Sequence, residues 1–340
     1  MAHRNVHLVG SVGLGTAQDV FSVAGRMLGG HLPRVPDGEP GGRRMWTSWQ
    51  YPVLRGLAYF RPDFDAKPNV AGSLPLKFAE GMAAADVRIG ELGYAREART
   101  SYQDFLAARE RGDIDKRARF QVCLPTPYAV CCTVMRADLV REVEPIYLDA
   151  MKREVAAIVE AIPNDDLCLQ WDICLEMLAL DGRGFLKPFP GMEDFLAERF
   201  RTLASAIPAK AELGFHLCYG DLDAKHSLEP LDAAKLREMA ELIQRSAGRP
   251  IAYIHMPVPV ERSDDAFFAP LKELKLASGT ELFLGLVHAK DGLEGTKARM
   301  KAAQKYVEGF GIASECGISR ARTPDYVREL LAVHAAAAKL

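Results

Sequence analysis

Eight short apolar runs, most of them bounded by glycine, proline, aspartate or asparagine, recur along this 340-residue chain. They occupy residues 5–11 (NVHLVGS), 86–92 (DVRIGEL), 119–125 (RFQVCLP), 166–172 (DLCLQWD), 212–218 (ELGFHLC), 250–256 (PIAYIHM), 281–287 (ELFLGLV) and 311–316 (GIASEC). Runs of this length read as buried strands. Between most of them lie segments with apolar residues at helical spacing, 140–162, 192–207, 231–248 and 295–310, and 324–340 closes the chain. Eight strands alternating with helices predict an α/β fold, a single (β/α)8 barrel over residues 1–340. A doubly wound open sheet is the alternative arrangement. Residues 32–75 are rich in Pro, Gly and Arg and show little periodicity, so they are expected to form a long loop or lid after the first strand.

Charge narrows the partners. Lys and Arg number 43 against 45 Asp and Glu, for a net charge of −2, and no basic stripe marks a nucleic-acid track. The pairs Arg43-Arg44 and Arg320, Arg322 are isolated and read as surface or anion contacts. No window of about 18 apolar residues predicts a membrane span, and the apolar run at the N-terminus is short for a secretory signal. Seven cysteines form no regular framework. A cytoplasmic protein with free thiols is expected.

In such a barrel the working groups sit at the C-terminal ends of the strands. Those ends carry Ser11, Asp172, His216 with Cys218, His255, His288 and Cys316. His216 and Cys218 stand at i and i+2, so on a strand both side chains point to one face. Cys316 arrives from a different strand. Two thiols and an imidazole suit Zn²⁺, and three protein ligands leave a position for a substrate thiol. The same pair also fits a core thiol beside a histidine that satisfies a carbonyl.

These segments resemble one family in order and spacing. FHLCYGD is similar to the His-x-Cys segment of cobalamin-independent methionine synthase, and ASECGISR to its second cysteine segment. LQWDICLEM resembles its Gln-Ile-Asp-Glu strand end, HLVGSVGLGTAQDVF its opening Gly-Ser segment, and QVCLPTPYAV an early Pro-Gly-Pro loop. The resemblance is to the C-terminal catalytic barrel, whose relatives include uroporphyrinogen decarboxylase and the zinc transferases acting on coenzyme M. It implies Zn²⁺ on His216, Cys218 and Cys316, with Asp172 holding a substrate amino group and Ser11 nearby. It implies methyl transfer to a small-molecule thiol, with methyltetrahydrofolate as a candidate donor. The chain departs from the family at two places. His255 replaces a glutamate ligand, leaving His255, Glu261 or an open position as the fourth ligand, and the Glu-Pro that follows the strand-end aspartate is lost.

Two other functions stay open on these residues. A metal-poor relative would act as a lyase, decarboxylase or hydrolase on a small acid, with His255 and His288 as acid and base. A non-catalytic barrel would only bind its ligand. In the turn-rich loop PDGEPGGRR, followed by Trp46 and Trp49, a substrate-contacting lid with Trp46 against the ligand stands beside a solvated loop over packed aromatics. Glu315 is expected to point outward or to pair with Arg320, because neighbouring strand residues alternate faces.

Overall fold

The computed structural model describes residues 4–69 and 72–340. Its strands are β1 (Val6–His7), β2 (Arg34–Pro36), β3 (Phe60–Pro62), β4 (Leu76–Phe78) and β5 (Arg119–Pro125). They continue with β6 (Leu167–Ile173), β7 (Glu212–Leu217), β8 (Tyr253–Pro257), β9 (Glu281–Gly285) and β10 (Gly311–Ala313). Eight of them form one parallel sheet in the order β1-β10-β9-β8-β7-β6-β5-β2, while β3 and β4 pair as a separate antiparallel hairpin. The sheet curls until its edges meet. Ser11, beyond β1, bridges Gly38, beyond β2, and the Val12 N–H donates to the Gly38 carbonyl at 3.0 Å. Gly38 has φ +81°, and a Cβ there would lie 2.6 Å from Val20 Cγ2. Only glycine meets both the backbone angle and the close approach.

Helices wrap this barrel, and the fold is the expected (β/α)8 barrel. The helices foreseen at five places form as Val140–Ala161, Met192–Ser205, Ala234–Ser246, Gly292–Ala303 and Pro324–Ala337. Ala17–Leu28, Tyr94–Glu110 and the short Asp265–Phe268 between β8 and β9 complete the layer with no expectation attached to them. Thr16 starts the first of these through a reciprocal capping box with Asp19. No helix among the described residues is long and apolar enough to cross a membrane.

One expected strand is corrected. Residues 86–92 join no ladder; a short 3-10 turn, Ala84–Asp86, leads into an extended stretch whose Val87 and Ile89 are buried outside the barrel. The stretch ends where the Glu154 carboxylate accepts the N–H groups of Leu92, Gly93 and Ala95, at the start of the helix Tyr94–Glu110. The second barrel strand is β2, paired with β5 from Arg34↔Arg119 to Pro36↔Gln121. The long excursion therefore follows the second strand, not the first, and the range 32–75 contains β2, the helix Gln50–Arg55 and β3.

The period-2 geometry of strands decides which residues reach the barrel axis. On β7, Phe215 points out to Phe200 of the helix Met192–Ser205, with ring centroids 6.2 Å apart. Gly214 and His216 therefore face inward. Gly214 makes room for the Tyr253 ring, which a Cβ would overlap at 2.0 Å. The axis is polar for a barrel core. The Tyr253 hydroxyl donates to Gln170 Oε1 at 2.9 Å, and Gln170 Nε2 donates to the Val9 carbonyl at 2.6 Å and to Asp172 Oδ1 at 2.8 Å. At the N-terminal end Arg34 pairs with Glu212 and Glu281 at 2.5 and 2.8 Å. This connected network satisfies groups that would be costly to bury alone, and it hands the strand register directly to the residues at the other end.

Candidate metal centre and its cavity

Asp172, His216 and His255 are consecutive partners across β6, β7 and β8. Of these, Asp172 and His216 line a cavity of about 390 Å³ at the C-terminal end of the barrel. Its metal-binding corner is made by His216, Cys218 and Cys316, all buried, whose ligand atoms lie within 4.8 Å of one another. The two sulfurs are 3.3 Å apart, and Cys316 Sγ is 3.6 Å from His216 Nε2. The i, i+2 pair and the distant cysteine thus converge.

His255 fixes which nitrogen His216 offers. His255 Nε2 lies 3.0 Å from the Ser314 carbonyl, which only accepts, so Nε2 carries the proton. Burial holds the His255 pKa down to about 3, so the ring is neutral and its Nδ1 bears a lone pair. That Nδ1 is 2.7 Å from His216 Nδ1, which must donate. His216 is also kept neutral, by burial first and then by His255. Its Nε2 is therefore bare and faces the thiols. A metal-ligating histidine needs this tautomer, held by a hydrogen bond on the far nitrogen. His255 is thus not a fourth ligand in this arrangement, and Glu261 pairs with Lys290 in solvent.

The thiols belong to the same arrangement. The Gly220 N–H points at Cys218 Sγ from 3.2 Å. Cys218 is held protonated well above the usual thiol range, by the neighbouring Cys174 thiol first and then by burial. Contact with Cys218, then burial, does the same to Cys316. Two adjacent buried thiols without a cation cannot readily ionise, and a divalent metal supplies the missing charge. The donor set, two soft sulfurs and one imidazole, fits zinc.

A second polar wall faces this corner. Asp172 accepts from Gln170 and from Trp46 Nε1, the latter at 3.1 Å. Burial nevertheless raises its carboxyl to about 7. Glu39 also lines the cavity; burial first, and then the Asp172 charge, raise it to about 8. Ser11 lines the cavity too, packed so closely on Gly317 that a Cβ there would sit 2.2 Å from its hydroxyl. Trp46 donates to Asp172 from a backbone with φ +52°. Among the described residues, five non-glycines have left-handed φ: Glu39, Trp46, Asp223, Ala224 and Ala321. All lie in the three loops that also carry cavity-lining side chains. Such conformations cost free energy and persist where the surroundings fix them.

Two residues expected to act as acid and base lie elsewhere. His255 sits behind His216, as described, and His288 donates to the Val258 carbonyl at 2.9 Å; neither lines the cavity. Glu315 points neither outward nor to Arg320. It lies 3.5 Å from His226 Nε2 and 3.9 Å from His288 Nδ1. Sequence reasoning carried Glu39 only within a loop read as a lid or a solvated turn, and Arg320 as a surface or anion contact, and it did not place Cys174 in the site. Glu39 and Arg320 did stand out as charged residues in Gly- and Arg-rich loops after strands, which is the one signal they gave.

No protein-family model and no curated protein matches the chain. Solved structures do. A B12-independent methionine synthase from Shewanella sp. W3-18-1, in complex with selenomethionine, superposes with a TM-score of 0.58 at 15% identity, covering 100% of this chain and 97% of that one. A candidate vitamin-B12-independent methionine synthase from Listeria monocytogenes gives 0.58 at 14%, covering 99% and 98%. In fold, the chain resembles the B12-independent methionine synthases. The methionine-synthase-like barrel spans the whole chain, and at this identity the likeness is one of fold.

Proposed function

We propose that the protein is a zinc-dependent alkyl transferase of the methionine-synthase kind, acting on a small-molecule thiol with a methyl donor such as methyltetrahydrofolate. The observation that carries this reading is the convergence of Cys218, Cys316 and the bare Nε2 of His216, whose tautomer His255 fixes. Zinc, when bound, lowers the pKa of a thiol brought to it and keeps the sulfur nucleophilic. The chain's own residues do the rest. Leu175, Leu178 and Phe185 add apolar surface to the cavity wall. Asp172 and Glu39 offer a carboxyl pair to a cationic amine, which by its charge draws both pKa values down and leaves them ionised. Trp46 orients Asp172 through its indole N–H. In the transfer a sulfur–carbon bond forms as the bond from that carbon to its donor breaks. The donor keeps the electron pair, and the thiol proton has already gone to solvent.

Metal content of wild type and of Cys218→Ser, purified without a polyhistidine tag, tests the reading. About one zinc per chain in wild type and almost none in the variant is the expected result. No zinc in wild type, even after zinc is offered, would sink it. Zinc and thiol binding with no turnover by any methyl donor would leave a non-catalytic binding barrel instead.

A further inference from the structure

The corner formed by His216, Cys218 and Cys316 supplies three donors, and a zinc ion at rest takes four. Neither residue that the sequence offered as the fourth is free to serve. His255 spends its Nδ1 on His216, and Glu261 pairs with Lys290 in solvent. The cavity wall holds one further thiol, that of the buried Cys174.

Cys174 follows β6 directly, as Cys218 follows β7. The two strands stay in register up to Ile173 and Leu217, and the Cys218 N–H donates to the Ile173 carbonyl at 3.0 Å. The two cysteines therefore stand side by side on neighbouring strand ends. The Cys174 thiol is also the first of the groups that hold the Cys218 proton in place. Cys174 occupies the cap position of the helix Leu175–Asp181, where a serine, threonine, asparagine or aspartate would accept a backbone N–H, yet its side chain makes no cap bond. Its sulfur stands just outside the set of donors that lie within 4.8 Å of one another.

Charge agrees with a third sulfur. Zinc with two thiolates and a neutral imidazole is neutral in sum, and a third thiolate leaves one negative charge. Arg320 lines the same cavity. Its only ion pair among the described residues is with Asp221, at 3.5 Å, and Arg322 already grips both oxygens of that carboxylate at 3.0 Å. The Arg320 guanidinium is left to offset the sulfurs of Cys218 and Cys316, whose charge it feels. A buried charge needs such a partner.

We propose that Cys174 is the fourth protein ligand of the resting metal centre, and that a substrate thiol enters by displacing it. The first half rests on the side chains around the corner; the second rests on the function proposed above. A cysteine has one side-chain torsion, and a step between its staggered positions moves the sulfur about 3 Å. That step carries Cys174 between the metal and its place beside Cys218. The exchange balances. The incoming thiol loses its proton to solvent as its sulfur binds, and the Cys174 sulfur takes up a proton as it leaves. The centre keeps three sulfurs and the same charge.

Zinc-edge X-ray absorption on full-length, zinc-loaded protein in thiol-free buffer counts the sulfurs at about 2.3 Å from the metal. About three are expected in wild type, and about two in Cys174→Ala and in Cys174→Ser. Adding 2-hydroxyethaneselenol, the selenium analogue of a simple thiol, should exchange one sulfur for one selenium in wild type. In Cys174→Ala it should add selenium with no loss of sulfur. Two sulfurs in resting wild type, or three remaining in both variants, would overturn the inference; selenium on the metal would still leave the thiol chemistry standing. Three sulfurs in wild type and two in the variants, with no selenium reaching the metal in any of them, would keep Cys174 as a ligand and overturn entry of a thiol. No zinc in wild type would overturn both.

Discussion

Nδ1 of His216 and Nδ1 of His255 lie 2.7 Å apart, and this contact decides the tautomer of the one imidazole in the metal-binding corner. The order of protons runs from the Ser314 carbonyl through both rings to the thiols. Replacing His255 by leucine keeps the bulk and removes the acceptor. Zinc affinity is expected to fall about 10–100-fold, with about one zinc still bound at saturating metal. His255→Gln, which offers a carbonyl oxygen to His216, should recover part of the loss. Competition with a chromophoric chelator measures it, and unchanged affinity in His255→Leu would break the link.

Asp172 makes stability depend on pH. In the unfolded chain its carboxyl ionises near the ordinary value of 3.8; in the folded protein burial holds the proton to about 7. Between those values the folded state binds more protons, so raising the pH favours unfolding. Buried histidines such as His216 and His255 titrate with the opposite sign, so the comparison must be with Asp172→Asn, in which their effects cancel. Relative to that variant, wild type should lose about 1–4 kcal/mol between pH 4 and pH 7. Urea unfolding at intervals of pH gives the difference curve, and a flat curve would mean that the carboxyl is ionised in the fold.

Gly38 tests the seam. Gly38→Ala places a methyl 2.6 Å from Val20 Cγ2 on a backbone with φ +81°. Strain and crowding should cost about 1–3 kcal/mol. A thermal midpoint unchanged from wild type would show that the edge strands close by some other contact.

Much of this was legible in the sequence, for reasons that also mark where reading stops. His216 and Cys218 share a face because strand geometry is local, and Cys316 joins them because the barrel brings every strand end to one rim. Arg34–Pro36 escaped notice because a three-residue strand with Val35 as its one aliphatic residue carries no periodic signal. The stretch 86–92 failed in the opposite direction. Val87 and Ile89 are buried while Arg88 and Gly90 are exposed, the alternation of a true strand, yet alternation records only an extended backbone against a core and not a hydrogen-bonded neighbour. Glu39 and Arg320 were visible as charges, but whether a loop charge meets solvent or a cavity depends on contacts far along the chain. His255 was read as a ligand or a base. Its actual partner, one strand away, depends on register, which no single segment encodes.

The closure of the barrel has one more consequence. Seven of its joints are ladders between strands, while the eighth is the bridge at Ser11 and Gly38 with the Val12 N–H bond. The cavity is fastened to both sides of that clasp, to Ser11 on one and to Glu39, next to Gly38, on the other. A ligand touching both is a staple across the hoop. Its binding energy and the energy that keeps the hoop shut are then partly the same quantity, and slower exchange of the Val12 amide would be the first sign that the cavity is filled.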